Sequence, residues 1–128
     1  MAKRVLVVDD ERSIVRLTQI NLERAGYEVT TAFDGIEALE AVTDQPPDLI
    51  VLDWIMPRKD GKQVLHDLQA DPRYRDIPVV MLTGKAQDAD VFKGWSSGIT
   101  AYLTKPFDPH ELLVFVSRIF EAQEHNEG

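Results

Sequence analysis

The stretch DLIVLDWIMPRKDG, residues 48–61, decides the fold. Its aliphatic run LIVL leads straight into Asp53, and the chain then turns at Met56-Pro57. A short apolar run bounded by turn signals fits a strand covered on both faces of a sheet. A strand buried in this way has no packing reason to end in a carboxylate. It reads instead as a rigid arm that presents Asp53 at one edge of the sheet.

Outward from this stretch, similar runs recur: RVLVV (4–8), YEVTTAF (27–33), PVVML (78–82) and AYLT (101–104). YEVTTAF is more mixed and reads as a strand nearer an edge. Helical patterns fill the gaps. Asp34-Gly35 opens one with Gly35, Ala38, Leu39 and Val42 on one face, and Asp60-Gly61 opens another with Gly61, Val64, Leu65 and Leu68. The shared spacing fits helices lying on a sheet. The first helix, roughly 11–25, is expected to end with Gly26 as its C-cap, and a further helix is expected over roughly 87–97. In FDPHELL, Asp108 is an expected N-cap, with Pro109 at the first helical position and Glu111 completing a capping box.

Five alternations of strand and helix predict an α/β fold, a doubly wound five-stranded parallel sheet with five helices on both faces. Residues 1–122 read as one domain and 123–128 as a polar C-terminal tail. The 128 residues, 44% hydrophobic and 28% charged, suffice for one core. No apolar run approaches a membrane span, and VLVV near the N-terminus is too short for a signal peptide. With no cysteine there is no disulfide or thiolate metal site. A net charge of −8 disfavours nucleic acid and anionic lipid as partners.

In such sheets ligands bind beyond the carboxyl ends of the strands. Those ends carry Asp9-Asp10, Asp53, Thr83-Gly84 and Lys105-Pro106. Singly, each has a bland reading: an Asp after a strand is ordinarily a cap or turn former, and a lone Lys is a solvated charge. Jointly they are harder to dismiss. Three crowded acids raise one another's pKa, and a hard divalent cation among them relieves the repulsion. Oxygen ligands with room for water suit Mg²⁺. With Thr83 and Lys105 beside it, such a site can bind a phosphoryl group.

At these residues the sequence resembles the receiver domains of two-component response regulators. The motifs are VDDE, LDWIMPRKDG, MLTG and YLTKPF, in family order, and the resemblance runs from Lys3 to about Phe120. It implies the flavodoxin-like strand order 2-1-3-4-5. It also implies that Asp53 accepts a phosphoryl group from a phosphohistidine on a sensor histidine kinase or histidine phosphotransfer protein. Asp9, Asp10, Asp53 and the carbonyl of Ile55 would hold Mg²⁺, with Asp10 binding directly and Asp9 through water. Thr83 and Lys105 would bind phosphoryl oxygens, and the Lys105-Pro106 bond would be cis. On phosphorylation Thr83 would move inward and Tyr102 follow. The face made by the helix over 87–97, the AYLT strand and the last helix would then change for a downstream protein target. The family setting implies a cytoplasmic signalling domain, monomeric or weakly dimeric on phosphorylation, that phosphorylates and dephosphorylates itself with Mg²⁺ rather than acting as an enzyme.

Some positions depart from the family pattern. Ile55 stands where the family often has a polar residue, and Lys85 lies two past Thr83; both positions tune access of water to the acyl phosphate. The last helix lacks the basic residues, and Thr100-Ala101 the acidic ones, of the charged dimer contact in the winged-helix class. Leu112, Val116, Ile119 and Phe120, extended by Leu113, make a core stripe, with Val114 outside it and Phe115 at its margin. On the first helix Ile14, Thr18, Leu22 and Ala25 share a face, while Leu17 and Ile20 lie off it. Ile14, Leu17, Ile20, Val114 and Phe115 are therefore candidate partner-surface residues, weighed against simple extra packing. Trp54 is expected to line the site and Trp95 to be core. His66, His110 and His125 show no metal-ligand spacing.

Two other functions compete. A haloacid-dehalogenase-type phosphatase also uses a strand-end Asp with Mg²⁺, but usually carries a second Asp two residues later, where this chain has Ile55. A receiver-like module that binds partners without phosphorylation is disfavoured by the intact acids, Thr83 and Lys105. Past Phe120 the sequence is the polar EAQEHNEG, to which no output domain fits, whether the chain is a single-domain regulator or a fragment of a longer protein.

Overall fold

A computed structural model describes residues 2–84 and 99–127 of the chain. The elements are β1 (Arg4–Val8), α1 (Arg12–Arg24), β2 (Glu28–Ala32), α2 (Gly35–Asp44), β3 (Leu49–Asp53), α3 (Gly61–Ala70), β4 (Val79–Thr83), β5 (Ile99–Thr104) and a C-terminal helix (Pro109–Glu127). The strands form one parallel sheet in the order β2-β1-β3-β4-β5. The mixed strand, β2, lies at an edge as its composition predicts.

The all-apolar character of β1, β3 and β4 has a direct cause. Successive side chains on a strand point to opposite faces, and both faces are covered. Leu6, Val8, Ile50, Leu52, Val79 and Met81 pack with residues of α2 and α3. Val5, Val7, Leu49, Val51, Val80 and Leu82 pack with residues of α1 and the C-terminal helix. Each strand thus feeds two cores, and truncating such a Leu or Ile to Ala typically costs about 2–5 kcal/mol. The expected faces of α2 and α3 are the buried ones, Gly35, Ala38 and Val42 on α2, and Gly61, Val64, Leu65 and Leu68 on α3.

The structure revises several local expectations. On α1 the buried stripe is Val15, Thr18 and Leu22. Ala25 is exposed and is itself the C-cap, with Gly26 the residue after it. Strand β5 starts two residues earlier than AYLT because of a bulge: Val79 faces Ile99 and Val80 faces Ala101, leaving Thr100 extra. The Thr100 hydroxyl accepts the Val79 N–H at 3.3 Å, replacing a ladder bond the bulge removes. The start of the C-terminal helix is capped, though Asp108 Oδ1 accepts from the N–H of His110 rather than that of Glu111. The C-terminal helix continues through the polar 123–127 segment. Lys85, Trp95, the helix expected over 87–97 and the side chain of His125 lie outside the described residues. Among the described residues no helix is long and apolar enough to cross a membrane.

Candidate functional site

Strand register brings the predicted residues together. Val8 faces Leu52, so the residues that follow each, Asp9 and Asp53, stand abreast at the carboxyl edge. Two backbone bonds carry the ladders past the strand ends: Trp54 N–H to the Leu82 carbonyl at 2.9 Å, and Lys105 N–H to the Thr83 carbonyl at 2.6 Å. The second seats Lys105 beside Thr83. The Lys105-Pro106 bond is cis, as the resemblance implies.

The Lys105 ammonium lies 2.6 Å from Asp9 Oδ2 and 3.4 Å from Asp53 Oδ1. Asp9 is fully buried and Asp53 is 5% exposed, whereas Asp10 faces solvent. Asp9 Oδ1 accepts the Glu11 N–H at 2.9 Å. Among the described residues, Asp9 Oδ2 is buried and its contact is the close ion pair with the ammonium, with no well-aligned hydrogen bond beside it. One oxygen each of Asp9, Asp10 and Asp53 lie within 4.8 Å of one another. Hard oxygen donors, a solvent-open side at Asp10 and an under-bonded buried oxygen fit a small divalent cation that keeps some of its water.

The electrostatics follow from this crowding. Burial, then the charge of Asp9 and to a lesser degree that of Asp10, pushes the Asp53 carboxyl up from 3.8 to about 7, against the pull of Lys105. Burial works against the Lys105 charge, but the bond to Asp9 and the charges of Asp53 and Asp9 outweigh it and hold its pKa above the usual value. Without a cation, Asp53 is therefore partly protonated near neutrality.

The loop from Trp54 to Asp60 frames the site. Gly61 N–H donates to the Trp54 carbonyl at 3.0 Å and closes its base. A Cβ on Gly61 would overlap the Asp53 carbonyl and crowd Trp54 Cα, so only glycine lets α3 start this close to the acceptor. Asp60 and Gln63 form a reciprocal capping box at that helix start. Trp54 is half-buried against the core under α2 and α3. Ile55 is 71% exposed at the site's rim.

Thr83 is fully buried, and Tyr102 is 43% exposed on β5. Of the candidate partner-surface residues, Leu17 and Ile20 are exposed. Ile14, Val114 and Phe115 are half-buried, and Phe115 packs on the core. Ile14 and Leu17 line a cleft of about 310 Å³ with Glu11, Gly84, Lys105 and Phe107, directly beside the acid cluster. Another cleft, about 490 Å³, lies between Arg75, Phe115 and Arg118 and contains none of the acids. His66 and His110 are exposed.

Sequence reading missed one component of the site's frame. Arg58 donates through Nε and Nη2 to Asp34 Oδ2, the first at 2.8 Å. Asp34 is held below the usual carboxylate range by the Glu37 N–H it accepts and, against its burial, by Arg58. The pairing joins two loops distant in sequence, and no local pattern announces it.

Comparison with known proteins agrees with this geometry. The family model described as "Response regulator receiver domain" matches residues 5–117. The chain is 46% identical over 124 residues to the alkaline phosphatase synthesis transcriptional regulatory protein PhoP of Bacillus subtilis, covering 97% of this chain and 51% of that protein. It is 44% identical over 131 residues to the DNA-binding dual master transcriptional regulator RpaA of Synechocystis, covering 97% of this chain and 54% of the relative. The chain thus spans about half the length of these curated relatives. Among solved structures, the chemotaxis response regulator CheY4 of Vibrio cholerae superposes with a TM-score of 0.86 at 35% identity, covering 93% of this chain and 99% of that one.

Proposed function

This chain belongs to the response regulator receiver domain family of two-component signalling, and on that premise we propose that its acid cluster takes a phosphoryl group from a phosphohistidine onto Asp53. The observation that carries the reading is the Lys105 ammonium, set between Asp9 and Asp53 at the edge where three carboxylates converge.

Asp53 attacks phosphorus in line. An O–P bond forms to its carboxylate as the P–N bond of the donor histidine breaks, and the imidazole leaves with the electron pair. Phosphoryl transfer asks a protein mainly for positioning and charge stabilisation. The β3 arm supplies the first. Lys105 supplies the second on one side, and the Thr83 hydroxyl binds a phosphoryl oxygen. Asp9, Asp10, Asp53 and the Ile55 carbonyl would hold Mg²⁺. When bound, Mg²⁺ supplies the positive charge that lets an anionic nucleophile approach an anionic phosphoryl group. Self-hydrolysis of the acyl phosphate ends the signal.

The phosphoryl group gives Thr83 a new acceptor. Tyr102, half out of β5, moves with it and alters the face that β5 and the C-terminal helix offer a downstream protein. The exposed Leu17 and Ile20, with the adjoining cleft at Ile14, form the docking side for the donor, a sensor histidine kinase or histidine phosphotransfer protein in the cytoplasm. The test is phosphotransfer from candidate kinases to wild type and to Asp53→Asn. Transfer to wild type alone supports the reading, and equal labelling of both removes Asp53 from its role.

A further inference from the structure

The loop after Asp53 is tied to the start of α2 through Arg58. Arg58 reaches Asp34 Oδ2 with two nitrogens and comes within 3.9 Å of Glu37. The other Asp34 oxygen accepts the Glu37 N–H at 2.9 Å and caps α2. Asp34 is 7% exposed and Arg58 about half exposed, so a guanidinium at the surface meets an acceptor already fixed by its cap bond. Both nitrogens end on the same oxygen, a charge-assisted contact stronger than a neutral hydrogen bond. The backbones also touch: a Cβ on Gly35 would overlap the Lys59 carbonyl. Lys59 in turn pairs with Asp67 of α3.

Arg58 sits at φ 65, where a residue with a Cβ is held at a cost. A backbone outlier that persists implies surroundings that over-determine it: the Lys59 N–H bonds the Pro57 carbonyl at 2.7 Å and closes a tight turn around Arg58, and the bond to Asp34 adds a side-chain anchor to that turn. Ile55, three residues earlier, has a largely exposed side chain. Its own packing therefore does little to place its carbonyl. That placement falls to the anchors on either side: Asp53 in the sheet, Trp54 and the buried Met56 against the core, the Gly61–Trp54 bond, and, further along the loop, Arg58 on Asp34.

We propose that Arg58 is a positioning residue for the cation site: through Asp34 it sets the Ile55 carbonyl, so that Mg²⁺ affinity depends on a contact outside the ligand set. The inference rests on the reading of Asp9, Asp10, Asp53 and Ile55 as the ligands. Without the tie the loop samples more conformations, and cation binding must order it. Loss of supporting contacts around metal ligands commonly weakens affinity by about 10–100-fold.

The experiment titrates the full chain with Mg²⁺ alone, well below the unfolding transition, reading heat and tryptophan fluorescence. Wild type is compared with Arg58→Gly, Arg58→Lys and Asp34→Asn, and each is also unfolded in chelator. Arg58→Gly removes the pair and the backbone cost together, so its cation-free stability stays close to wild type. Its Kd for Mg²⁺ rises by about tenfold. Asp34→Asn, which keeps the cap but loses the charge, follows it, and Arg58→Lys recovers part of the affinity. A purely structural role lowers the unfolding midpoint and leaves the Kd of the folded variants at the wild-type value, and that result overturns the inference alone. Absence of Mg²⁺ binding by wild type overturns both the inference and the ligand assignment beneath it.

Discussion

Replacing Asp53 with asparagine should make the cation-free protein more stable. Burial and the charges of Asp9 and Asp10 raise its carboxyl from 3.8 to about 7, with Lys105 pulling the other way. Between these two values the folded protein holds a proton that the unfolded chain has released, so stability falls as pH rises. The penalty is absent below the unfolded value and complete above the folded one. At about 1.4 kcal/mol per pH unit, the rise sets a ceiling of about 4 kcal/mol. Asparagine removes the charge but brings an amide that must be satisfied in a buried place, which leaves about 1–3 kcal/mol. The assay is urea unfolding in chelator. With a slope of about 1–3 kcal/mol per molar, the midpoint of Asp53→Asn moves up by about 1 M at about pH 8. The gain shrinks toward about pH 4. Added Mg²⁺ closes the gap from the other side, since binding to the folded wild type stabilises it by mass action. An asparagine variant no more stable than wild type at the higher pH, or a gain independent of pH, would refute the electrostatic account.

Other perturbations separate the remaining parts. Lys105→Met removes the cation that opposes burial at Asp53, so the Asp53 carboxyl should titrate above its wild-type value of about 7 in a carbon-13 NMR titration without metal; an unchanged or lower value contradicts the geometry. Gly61→Ala drives a Cβ into the Asp53 carbonyl and should cost about 1–3 kcal/mol by chemical unfolding. Ile55→Asn replaces an apolar rim with a group that can orient water, so decay of the Asp53 phosphate should be several-fold faster; unchanged or slower decay removes Ile55 from that role.

Much of this was legible because the folding signals are local. LIVL, short and bounded by turn signals, fits a strand covered twice, and the register that β3 takes with β1 then sets Asp9 beside Asp53. Asp34-Gly35 and Asp60-Gly61 announce helix starts through cap chemistry confined to a few residues. The extra residue Thr100 escaped notice because a bulge is decided by how β5 meets β4, not by β5 alone. On α1, the face drawn through Ile14, Thr18, Leu22 and Ala25 differs from the buried stripe Val15, Thr18 and Leu22 because spacing gives a helix its apolar face and not the exact phase at which it meets the sheet. The Arg58–Asp34 pair was invisible for a stronger reason: within MPRKDG an arginine looks like a solvated turn residue, and only the folded chain brings the start of α2 to meet it.

The central claim is that the converging acids make Asp53 a phosphoryl acceptor. Its most direct test is to incubate the chain with a small-molecule phosphodonor and Mg²⁺, then locate the added phosphoryl group by peptide mass spectrometry. The account predicts one phosphoryl group, on Asp53, lost when a chelator is present and in Asp53→Asn. Incorporation elsewhere, or none with Mg²⁺ bound, would contradict it.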